Sequence, residues 1–153
     1  MRRKLSANWL KRILNFWPPY LGSGIKVLEI SESWDYARVR LKKGKLNTNY
    51  FGTAYGGSLF SMTDPFYVLL LTNRLGRNYI VWDKESSIKY ISPGKTDVYC
   101  QFSLTQEHVD DIKRKTEELG KFEPIFEVDV VNTDGELVAK VHKRLHVKLK
   151  SSQ

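Results

Sequence analysis

Residues 49–64 read NYFGTAYGGSLFSMTD and hold most of the side chains whose types and spacing suit chemistry. Gly56 and Gly57 stand where a long apolar run begins. If that run is a helix, its first backbone N–H groups are unpaired and carry partial positive charge. Glycine lets an oxygen atom approach such groups without meeting a Cβ, so the pair could form an oxyanion hole. Asp64 lies seven residues beyond Gly57, two helical turns on and on roughly the same face. A carboxylate inside an apolar run is costly to bury without a partner or a purpose. It could act as general base on a water molecule or attack a carbonyl itself. Pro65 allows a second reading, in which Asp64 caps a helix that restarts at the proline. Ser61 and Thr63 could hydrogen-bond an attacking water, although helical hydroxyls usually bond their own backbone.

The elements that would position these groups follow from periodicity. Ser6 is a fitting N-cap for an amphipathic helix over 6–17, in which Trp9, Leu10, Ile13, Leu14 and Trp17 recur at helical spacing until Pro18 and Pro19 stop it. Such a helix can lie on a membrane or cover one end of a core, and its shortness favours the cover. GIKVLEIS (24–31) and YARVRLK (36–42) read as a hairpin of two strands, with Ala37, Val39 and Leu41 on one face. Gly57 to Leu75 is apolar nearly all round, the mark of an enclosed helix closed by Gly76. Strands follow over 78–92, bent or bulged near Asp83–Ser86, and over 96–106 with Val98, Cys100, Phe102 and Leu104 on one face. Residues 107–120 are charged and suit a short helix or a solvated loop. A strong Asp-Gly turn at 134–135 divides 125–150 into a second hairpin. The pattern predicts an α+β fold: an antiparallel sheet of five to six strands wrapped around one long central helix, with an N-terminal covering helix.

Bulk properties narrow the functions. At 153 residues the chain suits one domain (1–153, with 1–19 as the N-terminal helix and 20–150 as the core). The formal charge of +8 suits an anionic partner: a nucleic acid, a membrane surface or a phosphate-bearing cofactor such as coenzyme A. The single cysteine, Cys100, rules out an intrachain disulfide framework and fits a reducing, cytoplasmic setting. The basic start resembles a signal peptide, but Lys11 and Arg12 interrupt the apolar stretch. The longest apolar run, Phe66–Leu71, is far too short to span a bilayer, so no stable membrane insertion is expected.

The stretch 49–64 resembles the hotdog-fold thioesterases, particularly the phenylacetyl-CoA thioesterase-like branch and its small bacterial thioesterase-like relatives. That branch shows Asn, a Gly three residues later, His-Gly-Gly, and an acidic residue seven positions after the second Gly. Here Asn49, Gly52, Gly56, Gly57 and Asp64 stand at those spacings. VWDKESSIKYISPGKTDVYCQFSL and TDGELVAKV are also similar to hotdog elements, so the resemblance covers about residues 20–149. It implies an acyl-CoA thioesterase with Asp64 as base or nucleophile, the Gly57 N–H as oxyanion donor and Asn49 orienting the water or thioester. It implies a homodimer, extended in some relatives to a homotetramer, in which Asp64 of one subunit works against the Gly57 loop of the other. It implies no cofactor beyond the coenzyme A of the substrate. Tyr55 departs from the pattern by replacing the His; a phenol still donates a hydrogen bond but is a poor proton shuttle at neutral pH. Gly56 and Ser61 flank these groups as substrate contacts. Pro93, Gly94 and Lys95 form a turn that in hotdog relatives follows the pantetheine arm, and Lys89 and Lys95 would meet nucleotide phosphates.

The remaining polar residues read as structure. His142 and His146 alternate with Val141, Leu145 and Val147 and so share a strand face with Lys140, Arg144, Lys148 and Lys150, where a metal is improbable. Trp82 and Asp83 suit a buried pair at a bulge, and Asp83 could serve as a second acid. A non-catalytic acyl-CoA-binding or regulatory hotdog protein is the alternative reading, with Tyr55 as the sign of lost chemistry. Nucleic-acid binding rests on charge alone and no recognised motif supports it.

Overall fold

The computed structural model describes residues 5–150. The first four residues of the predicted N-terminal helical segment and the last three of the chain lie outside it. Helix α1 (Ala7–Phe16) begins as its sequence dictates, with the Ser6 side chain accepting from the Trp9 N–H. Pro18 and Pro19 end it, but they also open a second short helix, α2 (Pro18–Ser23), because proline suits the first turn of a helix as well as it breaks the interior. Gly24, at φ 71°, lets the chain leave α2 directly into the sheet.

Strands β1 (Ile25–Ile30) and β2 (Tyr36–Leu41) form the expected hairpin. A single 3-10 turn, Lys45–Asn47, leads into the glycine loop. The predicted central helix is present from Gly56 to Leu75 but comes in two pieces, α3 (Gly56–Ser61) and α4 (Phe66–Leu75), joined across a cis Asp64–Pro65 peptide. Asp64 therefore sits in a break, and its direction is not set by helical spacing from Gly57. It does not cap α4 either, whose N-terminus has no side-chain hydrogen bond.

β3 (Tyr79–Tyr90) and β4 (Val98–Ser103) follow, then the charged stretch resolves as helix α5 (Gln106–Leu119), capped by Thr105 and anchored by buried Val109, Ile112 and Thr116. A two-residue strand, β5 (Lys121–Phe122), was not legible in the pattern. β6 (Ile125–Asn132) and β7 (Leu137–Leu149) flank the Asp-Gly turn. The sheet is antiparallel and seven-stranded, in the order β1-β2-β4-β6-β7-β3, with β5 added to β7. The Val98, Cys100 and Phe102 face of β4 and the Ala37, Val39 and Leu41 face of β2 are buried against the central helix, where Phe66, Leu70 and Leu71 are also almost fully enclosed. Phe66 and Tyr67 pack on Phe102, and Tyr67 stacks on Phe126 at 4.1 Å, so these side chains belong to the core.

The two edges of the sheet are treated differently. At β1, the side-chain amide of Asn15 on α1 donates to the Val27 carbonyl and its oxygen accepts the Val27 N–H. The other edge, the twelve-residue β3, pairs with β7 and has no strand on its outer side among the described residues.

Cys100 is fully enclosed, with its thiol 3.7 Å from the Met62 carbonyl, and burial pushes the thiol pKa well up. Thiol-specific reagents are expected to leave the native protein unlabelled at neutral pH and to modify one thiol per chain after denaturation; rapid native labelling would contradict this packing.

Candidate active site

The residues marked by the sequence gather in two places. The first is a cavity of about 500 Å³ beside the glycine loop, whose lining includes Asn49, Gly56, Tyr90, Pro93 and Gly94. The loop is built by Asn49: its side-chain oxygen accepts from the Phe51 and Thr53 N–H groups, and its amide donates to the Thr53 hydroxyl at 3.0 Å. The 92–95 turn docks onto it through the Ala54 N–H, which donates to the Gly94 carbonyl at 2.8 Å. Lys89 and Lys95 are exposed and line neither place; Lys89 lies opposite Lys140 on the outer face of β3.

At the head of α3 the Ser58 and Leu59 amides both donate to the Tyr55 carbonyl, while those of Gly56 and Gly57 reach no acceptor among the described residues. The two glycines also make room for phenols. A Cβ on Gly56 would lie 2.7 Å from the Tyr90 hydroxyl, and one on Gly57 would lie 3.0 Å from the Tyr55 hydroxyl. Tyr55 thus folds back over the helix start, and Tyr90, which sequence reading did not single out, reaches the same spot from β3.

The second place is a smaller cavity of about 300 Å³ lined by Phe60, Ser61, Asp64, Asp83, Ser86 and Lys143. Its centre is Lys143, only 2% exposed, whose ammonium lies 3.3 Å from an Asp64 oxygen and 3.2 Å from an Asp83 oxygen. Asp64 is exposed on its far side, and its backbone is held from below: the buried Tyr20 hydroxyl of α2 donates to the Asp64 carbonyl. Burial raises the Asp83 pKa, Lys143 opposes the rise, and the Asp64 carboxylate adds to it. Thr63 spends its hydroxyl on the Phe60 carbonyl, while Ser61 and Ser86 line the cavity with hydroxyls that have no partner among the described residues.

Lys143 had a sequence signal: it is the one cation on the face of β7 otherwise made of Ala139, Val141, Leu145 and Val147. His142 and His146 lie on the other face, near Glu127 at 3.2 Å and Glu123 at 3.3 Å. His146 also stacks on Trp82 at 4.2 Å. Trp82 itself is 42% exposed, which corrects the buried Trp82–Asp83 pair: only the aspartate turns inward.

A seven-stranded antiparallel sheet closed around a central helix, with a glycine loop at the helix head, defines a thioesterase-like hotdog fold. The chain belongs to the family described as domain of unknown function DUF4442, whose model matches residues 7–147. Among solved structures it is similar to the Pseudomonas aeruginosa protein PA5026, described as a probable thioesterase: 20% identity, TM-score 0.82, 95% of this chain and 97% of that one covered. It is similar to the Haemophilus influenzae thioesterase HI1161 at 12% identity and TM-score 0.68, over 96% of this chain and 93% of that one. A Streptococcus pneumoniae hypothetical thioesterase solved with coenzyme A matches at 21% identity and TM-score 0.56, over 84% of this chain and 91% of that one. No curated protein matches the chain.

Replacing Lys143 leaves Asp83 half-buried without its cation. Lys143→Met is expected to destabilise the fold by about 1–3 kcal/mol at neutral pH. The Asp83 pKa is raised in the folded state, so between the unfolded and folded pKa values the folded chain holds more protons, and this group's contribution to stability falls as pH climbs. The stability gap between wild type and Lys143→Met should therefore narrow on acidification. Denaturant melts at mildly acidic and neutral pH check this; a gap that widens would be the wrong sign.

Proposed function

We propose that the protein hydrolyses an acyl-CoA thioester at a site shared between two subunits. One observation carries the reading: the Asp64 carboxylate and Gly56, at the head of α3, line different cavities of one chain, both flanked by the same edge strand. Asp83 and Ser86 of β3 line the Asp64 cavity, and Tyr90 of β3 lines the glycine-loop cavity. The two cavities therefore open side by side along β3, one at its middle and one at its Tyr90 end, and neither lining holds both groups. Antiparallel pairing of β3 with a second β3, with the two-fold axis between Ser86 and Ser87, would cover the edge and bring Asp83 of one protomer opposite Tyr90 of its partner.

In that arrangement the thioester carbonyl oxygen would sit at the Gly56–Gly57 amides, which are free to stabilise the tetrahedral intermediate. Asp64 would take a proton from the attacking water, or attack the carbonyl itself to form a mixed anhydride that water then hydrolyses; in either route the coenzyme A thiolate leaves and the acyl group ends as the free acid. Lys143 would hold the Asp64 carboxylate in place through their ion pair. Asn49 would act chiefly by shaping the loop. Ser61, at the rim of the Asp64 cavity, and Pro93 and Gly94, beside the glycine loop, would contact the substrate.

A second reading is a non-catalytic acyl-CoA binder. Tyr55 favours it, since its ring lies over Gly57 where the related motif has a histidine.

The test is thiol release from a panel of aliphatic and aryl acyl-CoAs, using wild type, Asp64→Ala, Gly57→Val and the two variants co-expressed. Each variant alone is expected to be inactive. Random assortment makes half of the dimers mixed, each with one intact site, so the mixture should recover about a quarter of the wild-type rate. An active wild type with a dead mixture would place the whole site in one chain. Binding without turnover by wild type would establish the second reading.

A further inference from the structure

Helix α1 has more apolar surface than the core can cover. Ala7, Leu10 and Leu14 pack inward, while Trp9, Ile13 and Phe16 share another face by helical periodicity and remain exposed. Phe16 is 77% exposed, and beside it stand Leu21 of α2 and Leu46 of the 3-10 turn, the latter 90% exposed. Isolated exposed apolar residues are ordinary, but a contiguous set from three elements is not.

Phe16, Leu21 and Leu46 rim a cavity of about 600 Å³ at the β1 end of the sheet. Its lining also includes Lys26, Arg40, Lys42, Lys43 and Lys45, and no carboxylate. Asp97 approaches Arg40 at 3.9 Å, and the Lys43 ammonium meets the Thr48 hydroxyl; Lys26, Lys42 and Lys45 have no acidic partner among the described residues. Much of the net charge of +8 is thus left unneutralised around protruding apolar side chains.

We infer that this face, formed by α1, α2 and the 3-10 turn, docks the protein peripherally on an anionic lipid surface. Phe16, Leu21 and Leu46 would enter the headgroup layer while the surrounding cations meet lipid phosphates. Charge decides against a second copy as the occupant, because a two-fold contact would set five cations against the same five. Position agrees: β1 and β3 are opposite ends of the sheet, so pairing through β3 would leave this face open. No helix among the described residues is long and apolar enough to cross a bilayer. The inference does not depend on the thioesterase reading.

Sedimentation of the full chain with phosphatidylcholine vesicles, with and without phosphatidylglycerol, tests it directly. Binding is expected only to the anionic vesicles and should weaken as salt rises, since a Debye length near 10 Å at 0.1 M screens exposed charge. Phe16→Ser/Leu46→Ser should abolish sedimentation. Lys42→Gln/Lys45→Gln should weaken it about fivefold for each cation removed. All four side chains are exposed or peripheral, and thermal melts of both variants should match wild type. No binding to anionic vesicles, equal binding to neutral ones, or capture only by a nucleic-acid duplex would overturn the inference. So would a Phe16→Ser/Leu46→Ser variant that still binds fully or that elutes as a smaller oligomer.

Discussion

Phe66, Leu70, Leu71 and Leu75 leave α4 with little surface that water tolerates, and the rest of the chain is arranged to surround it. The sheet supplies most of that cover through β2, β4, β6 and β7, whose inward residues are almost all aliphatic or aromatic. The same wrapping decides where polar chemistry can occur. Inside, a charge would be stranded. At the head of the central helical segment and at the break before α4 the core opens into cavities, and there the chain places its glycine loop and its aspartate.

Lys143 shows how closely this is managed. An ammonium on the inner face of β7 would cost several kcal/mol if left alone. Its position opposite Ser86 carries it to the rim of the sheet, where Asp83 and Asp64 neutralise it from two elements. The arrangement binds a strand, a bulged edge and the interhelical turn into one electrostatic unit. Tyr20 adds a fourth element by holding the backbone of the same turn, so the N-terminal helices support the candidate site as well as the core.

Much of the architecture was legible in the residues because alternation and helical spacing are direct records of burial. The β2, β4 and β7 faces read off the sequence are those that pack inward, and the Asp-Gly turn sits where it was placed. What escaped were features without a period. β5 is two residues long, α2 six, and the split of the central helix is a local event at Asp64–Pro65. The glycine pair pointed correctly to a close approach, but not to its occupants, because Tyr55 and Tyr90 meet there only through folding. Lys143 was the one legible signal left unread, a single charge in an apolar register.

The irregularity in β3 has a consequence for how the chain tolerates change. Up to Asp83 the odd-numbered residues of this strand oppose the inward face of β7; from Ser86 the even-numbered ones do. The extra residue at Lys84 switches the parity, so Asp83 and Tyr90, an odd and an even position, both look to the same side of the sheet. Deleting Lys84 would therefore act unlike trimming a loop. It would invert half of an edge strand, turning Ser86, Ile88 and Tyr90 to solvent and Lys89 toward the core, while leaving the chain's composition almost unaltered. The surplus residue fixes the frame in which the two halves of β3 can face a common target.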